Sequence, residues 1–487
     1  MSNPHVEPAG GATRTGGPVK PIEFLALFAW FAITGILLIA GGWPSISTRK
    51  AAVLGLLVFM AALLTLGKMT PARVWSPTAI FLIVVAVFHL GLTPFWILGM
   101  DPYSDQQFSG NSWFYGELSR DALYLVAVGI SAYAFGSVTA ILMSRLRAPS
   151  GMPFVHTEES DLMARRFSDA GAIVLLAAAA SWFVSVFQQG GFALLFGSYS
   201  NFLAETRHLQ TGIHYSFIAI GLGLLMLAPI DRALSRLGMA GYVLFAIVAF
   251  FLGLRGEVLF PLAVAVTVAA FRRRLPRPIF AFGGGLILLV FINAAREIRK
   301  EGLSSNNFDW AEASPLGALR EMGGSIKIVA TSISWHDYSG EAFERGATYA
   351  GVVARFFELV FSPHSRPPAQ SDFRLMNVEV ASRIGPAGGS IIGEAHHNFS
   401  VIGVAAVLLL VGLFFGSFSG AKPTTMGLVF YVIIAAPLFG HVRNSFVPVI
   451  PAVFYGALLV VAVILFGQMR RATDRSLLNR VSSEGAK

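Results

Sequence analysis

The chain has 487 residues, of which 55% are hydrophobic and 13% are charged, and its mean hydropathy is +0.65. This leaves too little polar surface to cover a soluble globule of that length, so the composition predicts an integral membrane protein. The absence of cysteine excludes disulfides, thiolate metal sites and cysteine nucleophiles. The net charge of +9 is typical of arginine retained on one side of a membrane, and it does not indicate nucleic-acid binding.

About twelve apolar runs are long enough to cross roughly 30 Å of hydrocarbon as helices, so we expect an all-α, polytopic fold. Residues 1–20, rich in Gly, Pro and Thr, precede them as a disordered cytoplasmic tail. Residues 468–487 follow as a second cytoplasmic tail. Residues 21–467 are expected to form a single transmembrane domain. In chain order the runs are Ile22 to Ala40, Ala51 to Leu66, Ser76 to Leu98, Asp121 to Met143, Ala170 to Phe187, Tyr215 to Ile230, Met239 to Leu254, Glu257 to Phe271, Ile279 to Ala295, Ile391 to Phe415, Thr424 to Leu438 and Ser445 to Phe466.

Arginine in the short loops predicts the orientation, because it resists translocation. With both termini inside, the inner loops hold the dense arginine groups, which are Arg145 and Arg147, Arg165 and Arg166, and Arg272 to Arg274. The long segment 296–389 then lies on the outer side. Apolar residues at helical spacing, starting at Leu316 and at Tyr349, predict two amphipathic helices in it, on or near the bilayer surface.

Four polar clusters stand at the ends of different spans, and this orientation places all of them on the outer face. They are Arg255 to Glu257, Arg296 to Arg299, Gly393 to Asn398, and His441 to Asn444. Spans far apart in the chain are therefore expected to converge on one polar site.

The arginines of these clusters are candidates for phosphate binding, since a guanidinium offers a planar fork of donors that matches phosphate oxygens. Arg255 and Glu257 flank a glycine, where backbone can approach a ligand closely. Arg296 and Arg299 are three residues apart and share a helical face, so they could grip a second phosphate. The alternatives are an arginine that only extends to the lipid headgroups, or a solvated, self-paired exit helix.

Glu394 is the first candidate for a general base, because burial at the start of an apolar span disfavours its ionised form unless a cation pairs with it. His396 and His397 are adjacent and point to different sides of a helix, so at most one is expected to share the site. His441 and Arg443 supply another acid/base and phosphate pair. For each histidine the alternative is an interfacial, hydrogen-bonded side chain.

A metal site is not predicted. Glu394 and the histidines are suitable ligands, but adjacent histidines cannot form the usual helical i, i+4 pair. The sequence also lacks an acidic cluster typical of divalent-ion sites.

Several short motifs stand between about Tyr242 and Leu465, namely Gly253-Leu254-Arg255-Gly256-Glu257, Gly323-Gly324-Ser325, Gly346-Ala347-Thr348-Tyr349, Ile392-Gly393-Glu394-Ala395 with Asn398-Phe399 and Gly403, and Arg443-Asn444-Ser445-Phe446. On these motifs this part of the chain resembles the Wzy-type O-antigen and oligosaccharide repeat-unit polymerases. The family pattern has an aromatic residue after the Glu-Ala pair, where this chain has His396.

The resemblance implies a GT-C-like glycosyltransferase in the bacterial cytoplasmic membrane. It would move a growing glycan from a polyprenyl diphosphate carrier onto a lipid-linked repeat unit at the outer face, without a metal or other cofactor. The implied partners are the lipid-linked oligosaccharide, membrane lipids, a chain-length regulator and a flippase. In such chemistry the diphosphate would be bound by Arg255, Arg296, Arg299 and Arg443, the proton would be taken by Glu394, His396 or His441, and support would come from Glu257, His397 and Asn398.

Two other interpretations stay open. A polysaccharide ligase would use the same lipid donor with a different acceptor, and a transporter would move oligosaccharide or lipid-linked glycan unchanged. Secondary transporters usually carry an ionisable residue or a broken helix near the bilayer midplane. No acidic residue falls in the middle of a predicted span, which favours an enzyme.

Overall fold

The computed structural model describes residues 20–40, 45–103, 109–147, 158–190, 211–273 except 253, parts of 275–287, 314–420 except 363, 365, 370 and 386, and 423–484. Within these ranges all regular structure is helical. The predicted all-α fold is therefore confirmed for the described part of the chain.

The helices are numbered here in chain order. The first nine are α1 (Pro21–Ile39), α2 (Thr48–Met69), α3 (Pro77–Leu90), α4 (Thr93–Leu98), α5 (Glu117–Arg147), α6 (Glu158–Gly190), α7 (Thr211–Leu225), α8 (Ala233–Phe251) and α9 (Arg255–Arg272). The others are α10 (Pro315–Met322), α11 (Ile326–Ile333), α12 (Ala347–Phe361), α13 (Met376–Ile384), α14 (Ile391–Ser419), α15 (Thr425–His441) and α16 (Val449–Glu484).

Seven of the described helices are long and apolar enough to cross a membrane, namely α1, α2, α5, α6, α8, α14 and α16. Three more, α3, α7 and α15, are apolar but shorter. Most of the predicted ninth span, Ile279 to Ala295, lies outside the described residues. The chain is thus a multi-pass membrane protein, while the count of twelve spans and the GT-C-like fold stay predictions.

The predicted third span, Ser76 to Leu98, is wrong as a single helix. It divides into α3 and α4, with Gly91 and Leu92 between them. At Gly91 the backbone packs directly on the Leu319 carbonyl and on Gly323, which leaves no room for a side chain. Pro94 then opens the next helix, where its missing N–H has no cost. The polar α10 segment therefore rests on the end of an apolar helix.

The centre of the bundle is α5, whose side chains are buried along most of its length. It packs against α1, α2 and α14. At Gly136 of α5 and Gly412 of α14 the two backbones meet too closely for any side chain. Small residues at such crossings are how membrane helices approach one another and gain packing energy.

Polar contacts at the two ends of α5 define the two ends of the helix bundle. At one end, which we call the basic end, Arg145 of α5 contacts Glu23 of α1 at 2.5 Å and also the Met69 carbonyl at the end of α2. At the opposite end of α5, Asp121 accepts a hydrogen bond of 2.6 Å from Tyr338, in the segment between α9 and α14. We call this the site end. Which end faces the cytoplasm stays a prediction.

Residues 314–390 form the polar layer at the site end. The predicted amphipathic helices are present as α10, α11 and α12. Helix α11 does not simply lie on a surface, since it packs between α5 and α14, with Ile326 and Val329 fully buried. Helix α12 buries Val352 and exposes Phe357 and Phe361. This layer therefore covers the bundle and brings polar side chains against it.

Candidate active site

Glu394 is a buried carboxylate at which three separate parts of the chain meet. It lies in the first turn of α14 and is 1% exposed. Its Oε2 accepts the backbone N–H of Phe446 at 2.8 Å and lies 3.0 Å from Nε2 of His441, which donates in the tautomer protonated there. Its Oε1 accepts the Thr348 hydroxyl at 3.1 Å. Both oxygens of this buried carboxylate therefore have hydrogen-bond partners, and it stands at a helix N-terminus.

The helix that carries Glu394 is short, because α14 breaks directly after Asn398. Phe399 has φ −140° and ψ 17°, and Ser400 has φ 63° and ψ −163°. We call residues 391–398 the site helix. Its first turn is capped by Ser390, whose hydroxyl oxygen accepts the Gly393 N–H at 3.0 Å. The same hydroxyl lies 2.7 Å from Nε2 of the buried His89, which fixes the cap from α3.

The other end of the site helix is capped by the segment before α12. The N–H groups of Glu344 and Arg345 donate to the carbonyls of His397 and Asn398, at 3.0 and 2.8 Å. These are carbonyls that a helix end leaves without intrahelical donors. The Asn398 side chain donates to the Thr348 hydroxyl at 2.7 Å, so the cap is connected to the carboxylate through one hydroxyl.

Backbone strain is concentrated at this junction. Ser400 and Arg345 both have positive φ, at 63° and 52°, a region that non-glycine residues rarely adopt. Gly346 follows with φ 93° and packs against the Phe399 ring, so a side chain there would be strained and crowded. Strained conformations persist only where the surroundings enforce them, and they cluster at functional sites.

Arg443 supplies a cation two residues after His441, the histidine that contacts Glu394. It is half-buried and holds its Cζ 5.6 Å from the centre of the Phe88 ring. Within the described ranges no carboxylate forms an ion pair with it. Its carbonyl accepts the Gly389 N–H at 2.7 Å, which joins the α15–α16 turn to the start of the site helix. The described site thus contains a buried carboxylate, an imidazole and an arginine.

The family model described as O-antigen polysaccharide polymerase Wzy matches residues 22–473, nearly the whole chain. The chain belongs to this Wzy family. Searches of curated proteins and of solved structures gave no match. The resemblance inferred from short motifs over the second half of the sequence is therefore confirmed, and it extends over the first six predicted spans as well.

In this Wzy-family chain, Arg255 lies at the start of α9, is 2% exposed and forms an ion pair of 2.5 Å with Glu321 of α10. The Phe88 ring, which contacts Arg443, is also 5.4 Å from the ring of Phe260 in α9. The Phe88 ring thus lies between the Arg443 guanidinium and helix α9, which carries Arg255 at its start. That the distant polar clusters meet in one site stays a prediction.

His396 and His397 point away from Glu394 and do not contact it. His396 lies 2.9 Å from the Ser332 hydroxyl and 3.3 Å from Asp337. His397 contacts His336 and Glu379. The predicted divergence of the adjacent rings is present, and the structure associates His441 with Glu394 instead.

Of the other predicted site residues, one contacts the Glu394 network, one lies in α9, and two are outside the described residues. Glu257 lies half-buried in the first turn of α9. Asn398 supports the carboxylate through Thr348. Arg296 and Arg299 fall outside the described residues.

Sequence reasoning did not assign Thr348, the Phe446 amide, Glu321 or His89 to the site. Thr348 and Phe446 both stand inside the motifs that carried the family resemblance, so the motif itself was the available signal. His89 stands at the end of an apolar run, where a histidine needs a specific partner. Glu321 had no such signal, because it is one acidic residue on an amphipathic helix.

No group of three or more His, Asp and Glu side chains within the described residues has the geometry to hold a metal ion. His336 and His397 are bonded to each other and do not converge on a common point. Metal independence itself stays a prediction.

Proposed function

We propose that this protein is a polysaccharide polymerase. It transfers a growing glycan from a polyprenyl diphosphate carrier onto a lipid-linked repeat unit, at the outer face of the bacterial cytoplasmic membrane, with both termini cytoplasmic. Family membership and the apolar helices support this. The observation that carries the chemistry is the buried carboxylate of Glu394, which has no arginine or lysine partner among the described residues, with Arg443 two residues beyond its His441 contact.

Glu394 is the proposed proton acceptor. Its Oε2 is held by the Phe446 amide and by His441, whereas Oε1 is held by the rotatable hydroxyl of Thr348. Oε1 is therefore the oxygen that can exchange its donor for a substrate hydroxyl. As that hydroxyl oxygen bonds to the anomeric carbon of the growing chain, its proton passes to Glu394, and the sugar–diphosphate bond breaks with its electron pair leaving on the diphosphate.

Arginines stabilise the negative charge that develops on the departing diphosphate. Arg443 contributes more than Arg255 in this proposal, because Glu321 already compensates the charge of Arg255. Arg296 and Arg299 complete the proposed diphosphate site. A flippase that delivers the lipid-linked unit and a chain-length regulator are the expected partners in the cell.

The direct test uses purified protein in proteoliposomes, supplied with polyprenyl diphosphate oligosaccharide. A ladder of products that remain on the lipid carrier and differ by one repeat unit is expected. Transfer of finished chains to another acceptor would make the protein a ligase. Movement of the oligosaccharide across the bilayer without a new glycosidic bond would make it a transporter.

The first variant to test is Glu394→Gln, which keeps the size of the side chain and removes its basicity. Loss of a general base lowers the elongation rate by about 10²- to 10⁴-fold. Glu358→Gln is the matched control, because Glu358 is an acid of α12, also at the site end, that pairs with Arg374 and does not contact Glu394. Equal rates for Glu394→Gln and the wild type would remove Glu394 from the mechanism.

A further inference from the structure

A second polar cluster, buried between the site helix and the segment before it, consists of His336, His397 and Glu379. The two histidines are 6% and 1% exposed. Nε2 of His336 lies 2.8 Å from Nδ1 of His397, and Nδ1 of His336 lies 2.9 Å from the Glu341 carbonyl oxygen. Nε2 of His397 lies 3.1 Å from Oε2 of Glu379, an ion-pair contact that is not aligned as a straight hydrogen bond.

The partners determine how many protons the two rings hold. A carbonyl oxygen only accepts, so Nδ1 of His336 carries a proton. One proton lies between the two rings. A lone pair on Nε2 of His397 would face the Glu379 carboxylate and be repelled, so that nitrogen also carries a proton. Two neutral imidazoles hold two protons on their four ring nitrogens, so the three protons here give the pair one positive charge.

The surroundings locate that charge on His397. Burial lowers the pKa of His336, which makes it the neutral member. Burial raises the pKa of Glu379, but the contact with His397 and the charge of Arg383 outweigh it, so the pKa of this carboxyl lies below its ordinary value. Other titratable or charged groups on the surrounding elements are Asp337, Glu341, Glu344, Arg345, Arg383, Glu394 and His396.

The cluster acts at the end of the site helix. His397 belongs to that helix, His336 to the π-helical turn Ser334–Tyr338, and Glu379 to α13. The next residue, Asn398, donates to the Glu394 carbonyl at 2.8 Å and to the Thr348 hydroxyl that holds the carboxylate. A shift of His397 would therefore move Asn398 and, through it, the Thr348 hydroxyl, which is one of the three donors that hold the Glu394 carboxylate.

We propose that the ion pair between His397 and Glu379, with His336 as its second partner, is a charged clamp that positions Glu394 for the reaction. The inference rests on the proposed function. His336, His397 and Glu379 are positioning residues in it, and they do not contact the substrate. Loss of the proton from the pair releases the clamp, so elongation declines as the pH rises through that step.

The protonation step has a spectroscopic reporter that needs no activity. The Trp335 ring is 5.7 Å from the His397 ring, and imidazolium quenches indole fluorescence more strongly than neutral imidazole. The difference in emission between the wild type and Trp335→Phe isolates this residue. We expect that difference to rise with pH between about pH 5 and pH 9, the range in which histidine titrates. A flat difference over that range would overturn the proposal.

The clamp itself is tested with Glu379→Gln, which removes the charge and keeps an amide in its place. Without the carboxylate, the midpoint of the Trp335 signal and the alkaline limb of the pH profile of elongation both move to lower pH. Glu379→Asp keeps the charge and leaves the midpoint in place. Glu341→Gln is the matched control, because Glu341 pairs with the same Arg383 but contacts the histidines only through its backbone.

Several results would contradict the clamp. A midpoint that Glu379→Gln leaves unchanged, or that Glu341→Gln moves equally, would show that this carboxylate does not hold the charge. A shifted Trp335 midpoint with an unshifted elongation limb would show that the charge does not position Glu394. Absence of elongation by the wild type at every pH, with a normal Trp335 titration, would instead contradict the proposed function.

Discussion

Paired arginines occur at both ends of the helix bundle, but Arg443 of the candidate site is held differently from them. At the basic end, Arg145 pairs with Glu23 and Arg232 pairs with Asp169, so these two cations are each matched by a carboxylate. At the site end, Arg443 is half-buried against the Phe88 ring, and within the described ranges no acid pairs with it. An arginine paired with an acid fastens helices together. One held on an aromatic ring keeps its donors for a ligand.

Carboxylates show the same contrast. Glu23 and Asp169 bind guanidinium groups, whereas Glu394 binds a hydroxyl, a backbone amide and an imidazole. Neutral donors stabilise the anion less than an arginine would, and the hydroxyl can rotate away. The number of arginines in the loops thus predicts the orientation of the chain in the membrane. Charged side chains that have no oppositely charged partner among the described residues indicate where the functional site lies.

Arg443→Ala is expected to have the largest effect, and it tests whether this arginine acts on a ligand. Removing a cation aimed at developing charge lowers the elongation rate by about 10²- to 10³-fold. Arg232→Ala at the basic end leaves the rate unchanged, because an exposed ion pair contributes about 0–1 kcal/mol to stability. Both are measured as the product ladder per unit of membrane protein. Arg443→Lys recovers part of the rate, since it keeps the charge and loses the fork of donors.

A loss of activity in Arg232→Ala as large as that in Arg443→Ala would contradict the distinction between the ends. It would mean that each substitution lowers activity by destabilising the fold. Thermal stability in detergent separates the cases, because the Arg443 variant should melt close to the wild type.

Thr348→Val tests the smaller, neutral part of the site. The substitution leaves Oε1 of Glu394 and the Asn398 amide without a shared partner. We expect the elongation rate to fall by roughly 10-fold, since a buried hydrogen bond to a charged group contributes about 1.5–3 kcal/mol. Thr425→Val, which removes a hydroxyl bonded to Arg272 at the basic end, should leave the rate unchanged. Equal effects would show that Thr348 is merely structural.

Hydropathy predicted the apolar helices well because burial in a bilayer requires backbone groups to be satisfied within each helix. It failed where helices break. The division after Leu90 depends on Gly91 packing against the Leu319 carbonyl, a contact more than 200 residues away in the chain. The break after Asn398 depends on Glu344 and Arg345 capping its carbonyls. Neither contact changes the hydrophobic periodicity of the residues around the break, so the local sequence does not predict it.

The candidate site was predictable in its charged residues and not in its partners. Glu394, His441 and Arg443 stand out because ionisable groups beside apolar runs are costly without a role. Sequence distance gives no means to choose between His396, two residues from Glu394, and His441, 47 residues away. Helical geometry directs His396 toward Ser332, and only the tertiary fold brings His441 to the carboxylate.

Ser400→Gly tests the subtlest difference, that between the strained site end of α14 and its regular remainder. Ser400 has φ 63° and ψ −163°, a region essentially restricted to glycine, and such strain costs on the order of 1–3 kcal/mol. Glycine removes this cost and adds some unfolded-state entropy, so we expect stabilisation by about 1 kcal/mol in thermal melts followed by tryptophan fluorescence.

Ser417→Gly is the matched control, because Ser417 lies exposed in the regular part of the same helix. Glycine there destabilises by roughly 0.5 kcal/mol, as expected from helix propensity. If both variants destabilise alike, the break carries no strain. If Ser400→Gly is more stable and elongates as fast as the wild type, the strain at the break is a cost of ending the site helix after Asn398. If it is more stable but slower, the stiffness of serine at this φ is what keeps Glu394 in place.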